Sequence, residues 1–367
     1  MRHPILAVSA AATLLAASFV SDSPAADDAS VTIGVAAPLS GSSALLGEQV
    51  KAGAQEAAAA LGADGPVELR PVDTACTPEG GTAAAQALVA AQVDAVIGFL
   101  CTESIETALP LLAQADIPTI DVGVRANRLT DKRAKTGNRI WRVAPRSDAE
   151  ADAIAKLLIQ RWRDVPYGLV DDGTIYGRGL ADAVRTRMEA AGLRASTVDN
   201  YRPAEEKQFG LARRIQKTGV TNIFIAGDRQ DVAVIARDAA ELELKLEIYG
   251  GESLFDENSI DLPLPTGIHA VAPFWDAAAT PSGSATDAAA SSLPGYALPA
   301  AAAVEIAVAA VRRSRQDEEP VAAVLDAQTF STRLGEVRFD AVGDADLDVY
   351  RDYVWRGDHF APAAEQP

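Results

Sequence analysis

The tetrad Cys101-Thr102-Glu103-Ser104 follows directly on the apolar run "VIGFL", and "PTIDVG" with Arg125 close behind it lies about one helix further on. Hydroxyls and backbone N–H groups at a strand-to-helix junction can meet an anion, because a helix start leaves its first amide donors unpaired. The same residue types are also ordinary helix caps, so the tetrad alone is compatible with either role. Catalytic constellations are harder to assemble. Beyond the first few residues the only histidines are His269 and His359, far apart and without neighbouring cysteines, which gives no zinc-site spacing. No G-x-S-x-G elbow and no P-loop occurs, and "YGRGLAD" lacks the third glycine of a dinucleotide fingerprint and suits a helix start. Asp171-Asp172 could in principle exchange protons, yet adjacent acids before Gly173 suit a solvated turn. An enzyme, a metal site and a cofactor are therefore not expected.

Strands and helices must hold the tetrad in place, and their pattern is regular. "VTIGVAAPLSG", "VELRPVDT", "DAVIGFL" and "PTIDVG" alternate with alanine-rich helical stretches, the first from about Gly47 to Leu61. Short apolar runs alternating with helices indicate parallel strands buried on both faces, hence an α/β class. A second series follows "RIWRVAPRSDAE": a helix from about Ala149 to Trp162, then "PYGLVDD", "LRASTVDNY", "TNIFIAG" and "LEIYGG", each with its helix. Two such series predict two doubly wound lobes. Thr280–Ser292 suits an exposed loop, "YALPAAAAVEIAVAAVRRSR" a long helix, and "GEVRFDAVGDADLDVYRDYVWRGDHF" a closing β-hairpin. Parallel sheets offer ligands the carboxyl ends of their strands, which is where the tetrad sits.

The chain opens with Arg2, an apolar core and small residues before about residue 25, the pattern of a secretory signal. That core is shorter than the roughly 20 residues of a spanning helix. Removing Arg2 and Asp22 with the leader cancels, so the net charge of the mature chain stays at -18. Such a surface disfavours nucleic acid and anionic membranes. Two cysteines in an exported chain, Cys76 and Cys101, suggest one disulfide, the alternative being two buried thiols.

At "DTACTPEGG" and "VIGFLCTES" the sequence resembles the periplasmic substrate-binding proteins of branched-chain amino acid ABC transporters, the Leu/Ile/Val-binding family. The likeness continues through "IGVAAPLSG", "GEQVKAGAQEA", "RIWRVAP", "TIYGRGLAD", "YGGES" and the "FD..GD" type ending. It implies a type I periplasmic binding fold, two lobes joined by three crossovers that close like a Venus flytrap. On that pattern residues 26–145 with 276–328 form lobe 1, and 146–275 with 329–367 form lobe 2. The resemblance assigns Thr102 and the Gly123 backbone to a ligand α-carboxylate and Glu252 to its α-ammonium. It places Tyr176 and Tyr296 beside the ligand and Cys101 at the rim. The chain departs from the pattern at Arg125, where a second hydroxyl is usual, at Asp228, where an aromatic is common, and at Leu46, where tryptophan often stands. Arginine can engage a carboxylate at two points, so Arg125 is expected either to grip one in the cleft or to pair with Asp228 or Glu252 across it. The expected role is a monomeric periplasmic receptor that passes an amino acid or related carboxylate to an ABC transporter permease. A sensor for a signalling protein, or a binder of a small organic or aromatic acid or amide, is the alternative.

Overall fold

Apolar runs too short for helices and flanked by glycine and acids become the strands of two sheets. The structure, a computed structural model, describes residues 30–255, 262–274 and 295–363. Its first sheet has five parallel strands, β1 (Val31–Ala37), β2 (Val67–Asp73), β3 (Ala95–Gly98), β4 (Thr119–Asp121) and β5 (Ile140–Arg142), in the order β2-β1-β3-β4-β5. The second contains β6 (Tyr167–Asp171), β7 (Thr197–Asn200), β8 (Asn222–Ala226), β9 (Glu247–Gly250) and β10 (His269–Pro273) in the equivalent order β7-β6-β8-β9-β10. Two further strands, β13 (Tyr350–Trp355) and β14 (Phe360–Pro362), extend that sheet antiparallel. Strand position explains composition. β3 is buried along its whole length, whereas the edge strands β2 and β7 show alternating or mostly exposed positions, as sheet edges covered on one face require.

Helices cover both sheets: α1 (Ala44–Leu61), α2 (Pro78–Ala90), α3 (Thr102–Gln114), the short turns α4 (Arg128–Asp131) and α5 (Arg133–Thr136), α6 (Ala149–Arg161), α7 (Ile175–Ala190), α8 (Phe209–Thr218), α9 (Arg229–Glu241), α10 (Ala297–Asp317) and α11 (Val321–Ala327). α1 packs closely on α10. The approach is possible because Gly53 lacks a side chain: a Cβ there would lie 1.9 Å from the Ala297 carbonyl oxygen. Alanines 54, 57, 300, 301, 303 and 307 of the two helices are buried in the same core.

The chain passes between lobes after β5, after β10 and again before β13, giving three crossovers. Of the hairpin expected across residues 335–360 only the closing end forms, where β13 pairs antiparallel with β14. β12 (Gly335–Arg338) pairs with β11 (Thr329–Thr332), on α10, while β13 pairs with β10 and β14. The intervening stretch is spent on a turn in which the Asp340 carboxylate accepts from the amides of Val342, Gly343 and Asp344. That turn delivers Asp344 to Arg142. The Arg142 side chain, fully buried, donates to Asp344 Oδ1 at 2.8 Å, to Thr130 Oγ1 at 2.8 Å and to the Ala126 carbonyl at 3.0 Å. Arg146 Nη1 reaches Asp344 Oδ2 at 2.7 Å. The crossing strands are thus stitched by one buried charge network at the base of the loop that carries Arg125. The stretch expected as a loop at Thr280–Ser292 lies outside the described residues.

Cys76 and Cys101 are joined, their Cα atoms 5.2 Å apart. The bridge closes a loop of separation 25, which by the chain-entropy relation stabilises by about 3.5 kcal/mol. Reduction is therefore expected to lower the unfolding free energy in urea by about 3 kcal/mol; a change below about 1 kcal/mol would contradict the bracing role.

Candidate functional site

The opening tetrad sits where the strand β3 yields to α3. Cys101 occupies the cap position of α3 with extended backbone and makes no side-chain cap bond; Thr102 begins the helix, and Ser104 Oγ donates back to the Cys101 carbonyl at 3.0 Å. Neither hydroxyl therefore closes the helix start. Gly123, after β4, has its N–H directed to Asp121 Oδ1 at 3.2 Å, and the same oxygen accepts from Val124 at 2.9 Å. Asp121 is wholly buried, and burial pushes its carboxyl up to about 7 against those bonds and Arg142. A Cβ on Gly123 would meet Tyr296 at 3.1 Å, so the Tyr296 ring rests on that backbone. The Tyr296 amide is held by Gln49 Oε1 at 3.2 Å, and Leu46, partly exposed, lies one helical turn before Gln49 on α1.

Arg125 reaches across. Its Nη1 forms an ion pair with Glu252 Oε1 and lies 3.5 Å from the Tyr350 hydroxyl, which in turn donates to Glu252 Oε2 at 3.3 Å. Arg125 follows β4 in lobe 1; Glu252 follows β9 and Tyr350 opens β13 in lobe 2. Burial works against the arginine's charge, but Glu252 and the tyrosines 350 and 296 outweigh it and hold the guanidinium firmly protonated. Of the two pairings open to Arg125 across the cleft, the one with Glu252 forms. Asp228 is exposed and caps α9, its Oδ1 accepting from the Asp231 amide at 3.1 Å.

Beneath Glu252 lies an acid absent from the expected set. Glu150, in the first turn of α6 and 3 % exposed, accepts the Tyr176 hydroxyl at 2.7 Å and the Glu252 amide at 3.0 Å. Gly251 makes room for it: a Cβ there would lie 2.3 Å from Glu150 Oε1. Burial, then repulsion from Glu252, pushes the Glu150 carboxyl up to about 7, and burial with the same two acids pushes the Tyr176 hydroxyl up, keeping it a donor. Arg125, Glu252, Tyr350, Glu150 and Tyr176 are thus joined in one network across the two lobes, and Gly123, Tyr296 and Gln49 pack together on lobe 1, while Thr102 stands at the start of α3.

Residues 30–350 match the model of the periplasmic binding protein family. The chain belongs to that family. This binding protein is 30 % identical to the Leu/Ile/Val-binding protein BraC3 of Rhizobium johnstonii over 91 % of this chain and 94 % of that one. A leucine-, isoleucine-, valine-, threonine- and alanine-binding protein of Pseudomonas aeruginosa is 26 % identical, over 95 % of each chain. Among solved structures, an ABC transporter substrate-binding protein from Desulfitobacterium hafniense in complex with Leu matches with a TM-score of 0.68 at 22 % identity, covering 91 % of this chain and all of that one. The family consists of solute-binding proteins rather than enzymes, and its members are periplasmic. Among the described residues no helix of this binding protein is long and apolar enough to cross a membrane.

Because Glu150 is shared between Tyr176 and the Glu252 backbone, its titration bears on the binding protein's stability and affinity. Its folded pKa lies above the ordinary 4.5, so the folded form holds the proton more tightly than the unfolded chain. Stability contributed in this way is present below 4.5 and lost as pH rises through about 7. Asp121 follows the same sign. Replacing Glu150 by Gln is expected to flatten the decline in melting temperature between pH 5 and 7.5 without lowering it at pH 5, as followed by thermal unfolding. An unchanged slope would remove Glu150 as a titrating group.

Proposed function

We propose that this protein captures an amino acid between its lobes and hands it to the permease of an ABC transporter, with no chemistry done on the guest. The observation that carries the reading is the opposed pair Arg125 and Glu252, a cation on one lobe and an anion on the other, joined across the cleft. A zwitterion fits by inserting between them: its carboxylate takes the guanidinium with the Thr102 end of α3, and its ammonium takes Glu252. Each charge-assisted bond so formed contributes roughly 1.5–3 kcal/mol. Without a guest the two side chains satisfy one another, so the pair that reads the ligand also limits the cost of an empty cleft. A guest that contacts both lobes favours the closed population in proportion to its preference for it.

The relatives named for amino acids support this reading, and a leader at roughly residues 1–25 would export the chain. Lobe 1 is taken as 26–145 with 276–328, and the packing of β11–β12 on α10 favours moving the last crossover from 329 to the stretch after β12. Native mass spectrometry of the purified protein, followed by a thermal-shift panel, tests the reading. An α-amino acid is expected to be retained and to raise the melting temperature by mass action. Retention of amine-free aromatic acids alone, with no shift by any amino acid, would overturn it.

A further inference from the structure

Lobe 2 carries a second concentration of negative charge beside Glu252. Asp172 follows β6, Asp228 and Asp231 start α9 after β8, and β8 lies between β6 and β9 in the sheet. Ser253, the neighbour of Glu252, donates to the Gly227 carbonyl at 2.8 Å, which ties the two loops together. Among the described residues no ion pair includes Asp171, Asp172, Asp228 or Asp231. Asp231 is 2 % exposed, and its Oδ2 has no hydrogen-bond partner. Tyr201 is an independent sign of the same vacancy of partners. It is 6 % exposed, its hydroxyl is also unpartnered, and that hydroxyl points at Gly227, where it would lie 1.9 Å from an added Cβ, with Asp172 Cβ 3.5 Å from the same point. Burial and all four aspartates push the Tyr201 hydroxyl up, and burial with Asp228 pushes Asp231 up to about 6.

A buried carboxylate without a cation is costly, and a cation supplied by the guest removes that cost. Asp172 and Tyr201 also open on a surface cleft of about 740 Å³, lined too by Lys207 and by Arg202 and Arg214, the two arginines being paired with Glu205 and Asp199. Neighbouring strand ends stand about 5 Å apart, so the step from Glu252 to the Asp228 loop matches a short alkyl chain.

We infer that Asp172, Asp228, Asp231 and Tyr201 form a second subsite that receives a distal ammonium or guanidinium, so that the guest is a basic amino acid. This inference rests on the amino-acid reading of the Arg125–Glu252 cleft. Calorimetric titration with L-lysine and with L-norleucine, which has the same chain without the distal amine, tests it. Lysine is expected to bind at least tenfold tighter than norleucine. Asp231→Asn and Tyr201→Phe are each expected to reduce that advantage several-fold while leaving norleucine affinity unchanged; the tyrosine variant keeps the test available should the aspartate variant fold poorly. Norleucine binding as tightly as lysine, or a lysine advantage untouched in both variants, would overturn the subsite and leave the amino-acid reading standing. If neither compound binds and no other α-amino acid does, the reading itself fails, and the subsite with it.

Discussion

Arg125→Ala is expected to weaken binding of an α-amino acid by about 30- to 150-fold, the equivalent of roughly 2–3 kcal/mol for a lost charge-assisted, two-point contact. The loss has two parts. The guest's carboxylate forfeits its guanidinium, and Glu252, which sits under the same bonds, is left with the Tyr350 hydroxyl as its remaining side-chain partner in the empty protein. Arg125→Lys should recover only a fraction, because an ammonium cannot present the planar fork. The melting temperature of the ligand-free variant should fall as well, since both partners are largely buried and removing the guanidinium leaves Glu252 beside Glu150 without its cation. Unaltered affinity by calorimetry would exclude the gripping role.

Arg142→Met is expected to be the most destabilising single substitution described, at about 3–5 kcal/mol, because it leaves a buried carboxylate network short of its cation. Asp344 would keep Arg146 as its one cation beside the Thr130 hydroxyl, and Asp121, wholly buried with one oxygen unpartnered, would lose the charge that opposes its burial. The loop 124–130 would also lose the anchors at Ala126 and Thr130. Affinity should fall with stability, since that loop carries Arg125. Pairing Arg142→Met with Asp344→Leu should restore part of the loss by removing both charges. Urea denaturation checks this, and a loss below about 1 kcal/mol for the single variant would show that the network is not a structural anchor.

Local signals were enough for the sheets. "AVIG" and "NIFIA" are runs buried on both faces, and a run of that kind between helices can only be an interior parallel strand. The pairing of Cys76 with Cys101 followed from compartment and number. The cleft chemistry was legible only in part, because its contacts join distant segments. Glu150 sits in "RSDAEADA", where it resembles a solvated acid in the first turn of a helix; it is buried because Tyr176 and Glu252 arrive from 26 and 102 residues away. Tyr350, 98 residues beyond Glu252, opens a strand that does pair with β14, but its pairing with β10 is not visible locally, since alternation along 335–360 reports half-buried strands without naming their partners. At Gly123, the amide assigned to a ligand is already directed to Asp121, a bond between residues two apart that small residues at a strand end make readily.

The central claim is that Arg125 reads a carboxylate and Glu252 an ammonium on one guest. A calorimetric cycle addresses it directly: wild type and Arg125→Ala, each titrated with an α-amino acid and with the amine left when its carboxylate is removed. The arginine substitution should cost at least about 30-fold with the intact amino acid and almost nothing with the amine, a coupling of roughly 2 kcal/mol. An equal loss for both compounds would mean that Arg125 does not touch the carboxylate, and the proposed arrangement of the guest would be wrong.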